Sequence, residues 1–158
     1  MASYAQRLLE TAERLAKASP KRPRISDLNR AVSTAYYAMY DALCSVCATE
    51  IVGPRALPTP SDIWRDVYRS VEHVAVKKHL ESGVKTSAYG ADLSRFAKAF
   101  SKLQQQRHDA DYNPQFRIGR AATLRLIAEA RDAIKALTNP QLERQKMVIT
   151  YLVVLKTR

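Results

Sequence analysis

Apolar residues recur at every third or fourth position along most of this chain, which is the spacing of one face of an α-helix. The pattern is interrupted by polar, Gly and Pro residues, and it predicts an all-α fold with a bend in the third helix near Ser70. Many Ala, Leu, Lys, Arg and Gln residues, which favour helices, support the same fold class. The predicted helices span residues 2–18, 26–49, 61–80, 90–111 and 117–137.

The C-terminal segment, residues 139–158, has a different pattern. Asn139-Pro140 interrupts the helical spacing, and the run from Met147 to Leu155 is apolar on every side. A helix that is apolar all round must be buried all round. We therefore expect this segment to be helical and to pack on the bundle formed by residues 1–138 or on a partner subunit. Its β-branched residues leave a strand as the alternative.

The formal net charge of +11 is the main signal in the composition. Such an excess favours an anionic partner, with nucleic acid as the first candidate, and an ordinary solvated basic surface is the alternative. The N-terminus carries no apolar signal-peptide run, and no segment approaches the roughly 20 apolar residues that span a bilayer. We expect one soluble, cytoplasmic domain without membrane contact.

The sequence contains no pattern that predicts a metal or a cofactor. Cys44 and Cys47 form a lone C-x-x-C within a predicted helix, and a zinc site needs about four ligands, so we assign both to the core. His73 and His79 are not spaced as an i, i+4 metal pair on one helix face. No glycine-rich phosphate loop is present, so we expect no nucleoside-triphosphate hydrolysis.

The most informative stretch closes the fourth predicted helix, between Leu103 and Pro114. The apolar stripe of that helix leads, at the same spacing, to Arg107 and then to Asp111. A cation and a carboxylate therefore fall on the face that otherwise forms core. Polar groups in such a place must be paired or must line a site. Asn113-Pro114 then ends the helix.

Three tyrosines crowd the middle of the second predicted helix, at Tyr36, Tyr37 and Tyr40. Buried tyrosine hydroxyls need hydrogen-bond partners, and an Arg–Asp pair on a neighbouring helix can supply them. Base stacking is the functional alternative for such an aromatic group.

Two arginines, Arg117 and Arg120, fall in the first turn of the fifth predicted helix. Cations are unfavourable at the positive end of a helix unless something offsets them. A bound phosphate would do so, and so would the nearby carboxylates of Asp109 and Asp111.

Two stretches together resemble HEPN-domain proteins. The first is R-A-V-S-T-A-Y-Y-A over residues 30–38, and the second is R-H-D-A-D-Y over residues 107–112. They look like the branch of the family with an R-A-V-S-x-A-Y-Y-A signature on one helix and a later R-x-x-A-D-Y signature. The likeness spans roughly residues 28–137.

The resemblance implies an antiparallel, up-and-down helical bundle with a four-helix core and extra terminal helices. Members of the family are usually dimeric, with the polar motif residues near the dimer axis. The resemblance also implies a toxin–antitoxin, defence or RNA-processing setting, with a cognate nucleotidyltransferase-type protein as a partner. Many members are metal-independent ribonucleases with an R-x(4–6)-H motif, in which arginine steadies the phosphate and histidine handles the proton.

This chain departs from that motif. The positions four to six residues after Arg107 are Asp111, Tyr112 and Asn113, none of which is histidine. His108 follows Arg107 directly and points about 100° away from it around the helix. The resemblance therefore carries over the arginine but not the usual catalytic histidine.

The sequence leaves three functions open, and we favour a HEPN-like module that binds RNA, a nucleotide or a partner protein. The second is a metal-independent ribonuclease with Arg107, His108 and Asp111 as candidate catalytic residues. The third is a dimeric scaffold joined through the C-terminal segment. The candidate phosphate-binding residues are Arg107, Arg117 and Arg120. The residues expected to support the motif are Asn29, Arg30, Tyr36, Tyr37 and Tyr112.

Overall fold

The computed structural model describes residues 2–54, 61–85 and 90–155, and within these ranges it is helical with no β-strand. This confirms the predicted all-α class. A 3-10 turn (Pro140–Leu142) and a π-helical turn (Tyr151–Leu155) flank the last helix. The α-helices are α1 (Tyr4–Lys17), α2 (Ile25–Val52), α3 (Ser61–Arg69), α4 (His73–Lys85), α5 (Gly90–Tyr112), α6 (Arg120–Leu137) and α7 (Glu143–Thr150).

Helix α2 is the centre of the fold and packs against α1, α3, α5, α6 and α7. The consecutive residues Ala31, Val32 and Ser33 are all buried, because neighbouring helices cover α2 on more than one face. The many alanines of α2 allow neighbouring helices to approach closely. Larger side chains such as Phe100 of α5 and Ile127 of α6 fill the remaining space in the core.

Helix α3 ends at Arg69 and α4 begins at His73, so the helix predicted over residues 61–80 is in fact two helices. The expected bend near Ser70 is a complete break. The Ser70 hydroxyl donates to the carbonyl of Val67 at 2.7 Å, and the Ser70 N–H donates to the same carbonyl at 3.0 Å. These two bonds satisfy a carbonyl in the last turn of α3. The break places His73 at the first position of a new helix.

Helix α6 begins at Arg120, three residues later than predicted, and Gly119 before it is extended. The Arg120 guanidinium binds carbonyls at the C-terminal end of α1, from Nε to Ala16 at 3.0 Å and from one Nη to Pro20 at 2.6 Å. The other Nη donates to the carbonyl of Ser19. The last carbonyls of a helix lack partners within the helix, so this cation joins α1 to α6.

The C-terminal helix α7 and the π-helical turn pack on α2 and α4 of the same chain. Ile149, Val153 and Val154 are buried in the common core, and the strand alternative does not hold here. The bundle covers only part of this segment, because Met147 is 63% exposed and Tyr151 is 55% exposed in the single chain; packing on a partner subunit stays a prediction. Across the described ranges, no helix combines the length and the apolar character that crossing a membrane requires.

Cys44 and Cys47 are free thiols with no exposed surface. Their assignment to the core is therefore confirmed. Burial is the main cause that raises the pKa of both thiols, and that of Cys47 reaches about 12. Because the thiolate is the reactive form, both cysteines are inert in the folded protein.

Candidate functional site

Arg107 and Asp111 form an ion pair one turn apart near the C-terminal end of α5. The Arg107 Nε lies 2.8 Å from Oδ2 of Asp111, and an Nη of Arg107 donates to the hydroxyl of Tyr37 on α2 at 2.9 Å. The side chains of Arg107 and Asp111 are 24% and 29% exposed. The apolar stripe of α5 therefore reaches the surface at this point, and the pair marks the place where core gives way to solvent.

Two further contacts join this end of α5 to the N-terminal half of α2. The Ser33 hydroxyl donates to the other carboxylate oxygen of Asp111, Oδ1, at 2.5 Å. The Asn29 side-chain amide donates to the carbonyl of Ala110 at 3.3 Å. Ser33 is buried, so its hydroxyl is held in place and fixes Asp111, which in turn orients Arg107.

Aromatic rings surround the Arg107 guanidinium. Its central carbon lies 5.5 Å from the ring centroid of Tyr37, 5.6 Å from that of Tyr112 and 5.8 Å from that of Tyr36. Cations within about 6 Å of an aromatic face are attracted to it. Burial alone would lower the pKa of Arg107, but Tyr37, Asp111 and Tyr112 more than offset it and raise the pKa.

An open groove of about 550 Å³ lies between the start of α2 and the end of α5. It contains the partners of Arg107, and the exposed Arg30 also lines it. We call it the Arg107 groove. Its lining residues are Ser26, Asn29, Arg30, Ser33, Tyr37, Ala110, Asp111 and Tyr112.

His73, to which the sequence assigned no role, lies in the same aromatic cluster. Its Nδ1 is 2.8 Å from the Tyr36 hydroxyl, and its ring stacks on Tyr40 with centroids 3.7 Å apart and planes at 12°. The Gln104 side chain donates to the His73 carbonyl at 3.0 Å. Burial, and then the charge of Arg107, lower the pKa of His73. The neutral imidazole is therefore favoured in the folded protein.

His108, the candidate catalytic histidine, has a different environment. His108 is exposed, and its ring centroid lies 5.1 Å from that of Tyr112. The Tyr112 ring therefore contacts both His108 and the Arg107 guanidinium, whose central carbon lies 5.6 Å from the ring centroid. In the described part of the chain, no contact joins His108 to Arg107 directly.

Arg117 and Arg120 do not join the groove through any contact in the described residues. Arg117 donates to the carbonyls of Pro114 and Phe116 at 2.9 and 2.8 Å, within its own loop. Arg120 is engaged at the end of α1, and the carboxylate of Asp109 accepts weakly from Gln105 at 3.3 Å. Among the described residues, no ion pair joins Asp109 or Asp111 to Arg117 or Arg120.

The chain matches no protein-family model, no curated protein and no solved structure. Among the described residues there is no group of three or more His, Cys, Asp or Glu side chains placed to hold a metal ion.

Proposed function

We propose that this protein is a HEPN-like RNA-binding module whose Arg107 groove receives a phosphate of single-stranded RNA. The observation that supports it most is the 24% exposure of the Arg107 side chain, beside an open groove lined by its partners Tyr37, Asp111 and Tyr112. A partly exposed arginine can reach an external anion, and the three aromatic rings around Arg107 distinguish it from the partly exposed Arg131, which pairs with Glu13.

The contacts of Arg107 leave it able to bind phosphate. A guanidinium has five N–H donors, and in the described part of the chain its polar contacts use Nε and one Nη. The other Nη is available to a phosphate oxygen, and arginine suits phosphate because it donates in a fixed fork. Asp111 and Tyr37 hold the side chain in place, so little side-chain entropy is lost on binding.

The exposed residues around the groove suit a flexible strand better than a rigid duplex. Tyr112 is 66% exposed and Tyr37 is 39% exposed, and unpaired bases stack on such rings. Arg30 on the groove wall adds a second cation. Positive charge that follows the backbone, together with rings that take the bases, is the usual pattern of single-strand binding.

The proposal includes the family architecture. Helices α1, α2, α5 and α6 contact one another in a closed circuit, which supports a four-helix core. The antiparallel up-and-down order, the homodimer and the cytoplasmic, toxin–antitoxin or defence setting stay predictions, as does a nucleotidyltransferase-type partner.

Equilibrium binding of a fluorescein-labelled single-stranded RNA, followed by anisotropy, tests the function. We expect Arg107→Gln to weaken binding by about tenfold, the value of one good charged hydrogen-bond pair. Arg144→Gln, at an exposed arginine of α7, removes the same charge elsewhere and should change little. Circular dichroism would verify that each variant is folded. Equal affinity of wild type and Arg107→Gln would refute the proposal.

A metal-independent ribonuclease is the second candidate, and His73 is the observation that favours it. If the Nδ1–H of His73 donates to the Tyr36 oxygen, Nε2 is the free base, and the lowered pKa keeps it unprotonated near neutral pH. Nε2 would take the proton of a ribose 2′-hydroxyl. The 2′-oxygen would then attack the adjacent phosphorus, and the 5′-oxygen would leave with a proton returned by His73.

Incubation of RNA with excess chelator separates this candidate from binding alone. We expect wild type to produce fragments with 2′,3′-cyclic phosphate ends, His73→Asn to lose the activity, and His108→Asn to retain it. Loss of cleavage in His108→Asn alone would restore His108 as the catalytic histidine. Absence of cleavage by wild type would eliminate this candidate and leave the binding function in place.

A further inference from the structure

A second concavity shares Tyr37 with the Arg107 groove. It has a volume of about 310 Å³, and residues of α1, α2, α3 and α4 form its walls. This is at the low end of the roughly 300–1,000 Å³ of small-molecule sites. We call it the tyrosine pocket. Its lining residues are Tyr4, Leu8, Thr34, Tyr37, Tyr40, Asp41, Tyr68 and His73.

The walls of the tyrosine pocket are mostly flat rings. Tyr40 is held rigidly, because its ring stacks on His73 and its hydroxyl donates to the carbonyl of Val71. Tyr68 stacks on Trp64 with centroids 5.4 Å apart. Such a set of fixed rings suits a flat, aromatic ligand, and every nucleobase has a π-face that can stack.

One carboxylate, that of Asp41, lies among these rings. Asp41 is only 8% exposed, and its Oδ1 accepts a hydrogen bond from the Tyr68 hydroxyl at 2.6 Å. The backbone N–H of Ala5 also donates to this carboxylate. A carboxylate has about four acceptor positions, so capacity remains for N–H donors of a ligand. The Thr34 hydroxyl, also in the wall, donates to the Arg30 carbonyl of its own helix at 2.8 Å.

We propose that the tyrosine pocket binds one nucleobase of the RNA strand, with guanine preferred. This inference rests on the proposed RNA-binding function. Tyr37 lines both the groove and the pocket and accepts the hydrogen bond from Arg107. A strand that lies across Tyr37 therefore has its phosphate at Arg107 and an adjacent base within reach of the pocket.

The preference for guanine follows from the donors that each base presents. Guanine offers two neighbouring donors, N1–H and the N2 amino group, and one carboxylate can accept from both. Uracil offers one N–H between two carbonyl oxygens, and these oxygens are repelled by a carboxylate. A buried acceptor left without a donor would also be penalised, so Asp41 discriminates against uracil.

Competition of guanosine and uridine monophosphate against the labelled RNA tests the base preference. Both nucleotides carry the same phosphate, so contact with Arg107 alone gives equal inhibition. We expect wild type to bind the guanosine nucleotide at least about tenfold more tightly, in keeping with one bidentate recognition pair. Asp41→Asn presents an amide donor instead and should abolish or reverse this preference.

Tyr4→Leu tests the pocket without disturbing the core, because Tyr4 is 55% exposed. We expect Tyr4→Leu to weaken binding of the guanosine nucleotide about tenfold through loss of stacking. Tyr151→Leu is the matched control, since Tyr151 is also 55% exposed but lies on the C-terminal turn. It should bind like wild type.

The outcomes separate this inference from the proposed function. Equal inhibition by the two nucleotides, or no effect of Tyr4→Leu, overturns the base pocket while Arg107-dependent RNA binding stands. Failure of wild type to bind RNA, or equal RNA affinity of wild type and Arg107→Gln, overturns both the proposed function and the base pocket.

Discussion

Arg107 contributes little to the stability of the bundle. Its pairing with Asp111 is an i, i+4 contact with both side chains about a quarter exposed, and such pairs contribute about 0.3–0.5 kcal/mol to a helix. Loss of a fully buried pair would cost about 3–5 kcal/mol, and this geometry does not support so large a value. Variants of Arg107 should therefore fold.

His73 should make the stability of the protein depend on pH. Its pKa is lowered by burial and by Arg107, so the folded state favours the neutral ring. The stabilisation is complete above the ordinary pKa of about 6.5 and is lost as the pH falls through it toward the folded value. Because His73 is exposed, solvent weakens the effect, and we expect a small loss of stability between pH 7 and pH 5.

Urea unfolding across this pH range, with wild type and His73→Asn compared, measures the effect. Asparagine keeps a polar atom near the Nδ1 position. Subtracting the pH profile of the variant from that of wild type cancels the contribution of other titrating groups, such as Asp41, whose pKa is raised by burial. Parallel pH profiles for wild type and His73→Asn would show that His73 is not perturbed.

At the residue scale, the sequence predicted the composition of the site only in part. An Arg–Asp pair was expected to satisfy tyrosine hydroxyls, and this is confirmed for Tyr37. It is wrong for Tyr36, which meets His73, and for Tyr40, which donates to the Val71 carbonyl. Val71 lies between α3 and α4, and His73 is the first residue of α4. Their positions depend on where the helix predicted over residues 61–80 breaks, which periodicity does not determine.

At the scale of helices, Arg120 has a structural role that its position in the sequence did not suggest. Its guanidinium donates to Ala16, Ser19 and Pro20 at the end of α1. The sequence placed it near the start of α6 and read it as a phosphate ligand, since helix periodicity carries no information about a neighbouring helix end. The contact joins residues about a hundred positions apart.

Arg120→Ala should lower the free energy of unfolding by about 2 kcal/mol, because several helix-end carbonyls lose a charged donor. Arg117→Ala is the control, since Arg117 is exposed and, among the residues that the structure describes, its hydrogen bonds stay within its own loop. Its effect should stay within about 0.5 kcal/mol. An Arg120→Ala protein of unchanged stability that binds RNA poorly would contradict this role, because it would indicate that Arg120 binds phosphate.

At the scale of the whole molecule, the C-terminal helix completes the core rather than standing apart. Thr150 of α7 lies beside the Cys47 thiol, and Ile149 is fully buried. The sequence predicted a helix that needs burial, but an apolar run alone does not say which surface receives it. The surfaces are those of α2 and α4.

Ile149→Ala should destabilise the protein by about 2–5 kcal/mol through loss of core contacts. It should also speed labelling of Cys47 by a thiol reagent at low urea, because α7 can then open locally. Met147→Ala is the control at a 63% exposed position and should change neither quantity. Labelling of Ile149→Ala that occurs no faster than in wild type would contradict this account of α7.

Net charge gives less information about the partner than the location of individual cations. Arg131 pairs with Glu13 at 2.5 Å and Lys102 pairs with Glu129 at 2.8 Å, and Arg120 binds helix-end carbonyls. These cations support the bundle. Arg30 lines the groove, and Arg107 contacts three of its lining residues, Tyr37, Asp111 and Tyr112. The +11 charge therefore predicts a class of partner but not the site.

The most direct test of the account is the salt dependence of RNA binding by wild type and Arg107→Gln. Each phosphate contact on a single strand contributes a slope of about −0.7 to log K against log[salt]. We predict a salt-dependent wild type and a variant whose slope is shallower by about that amount, with Arg144→Gln unchanged. Identical slopes and affinities for wild type and Arg107→Gln would mean that no phosphate is bound at Arg107.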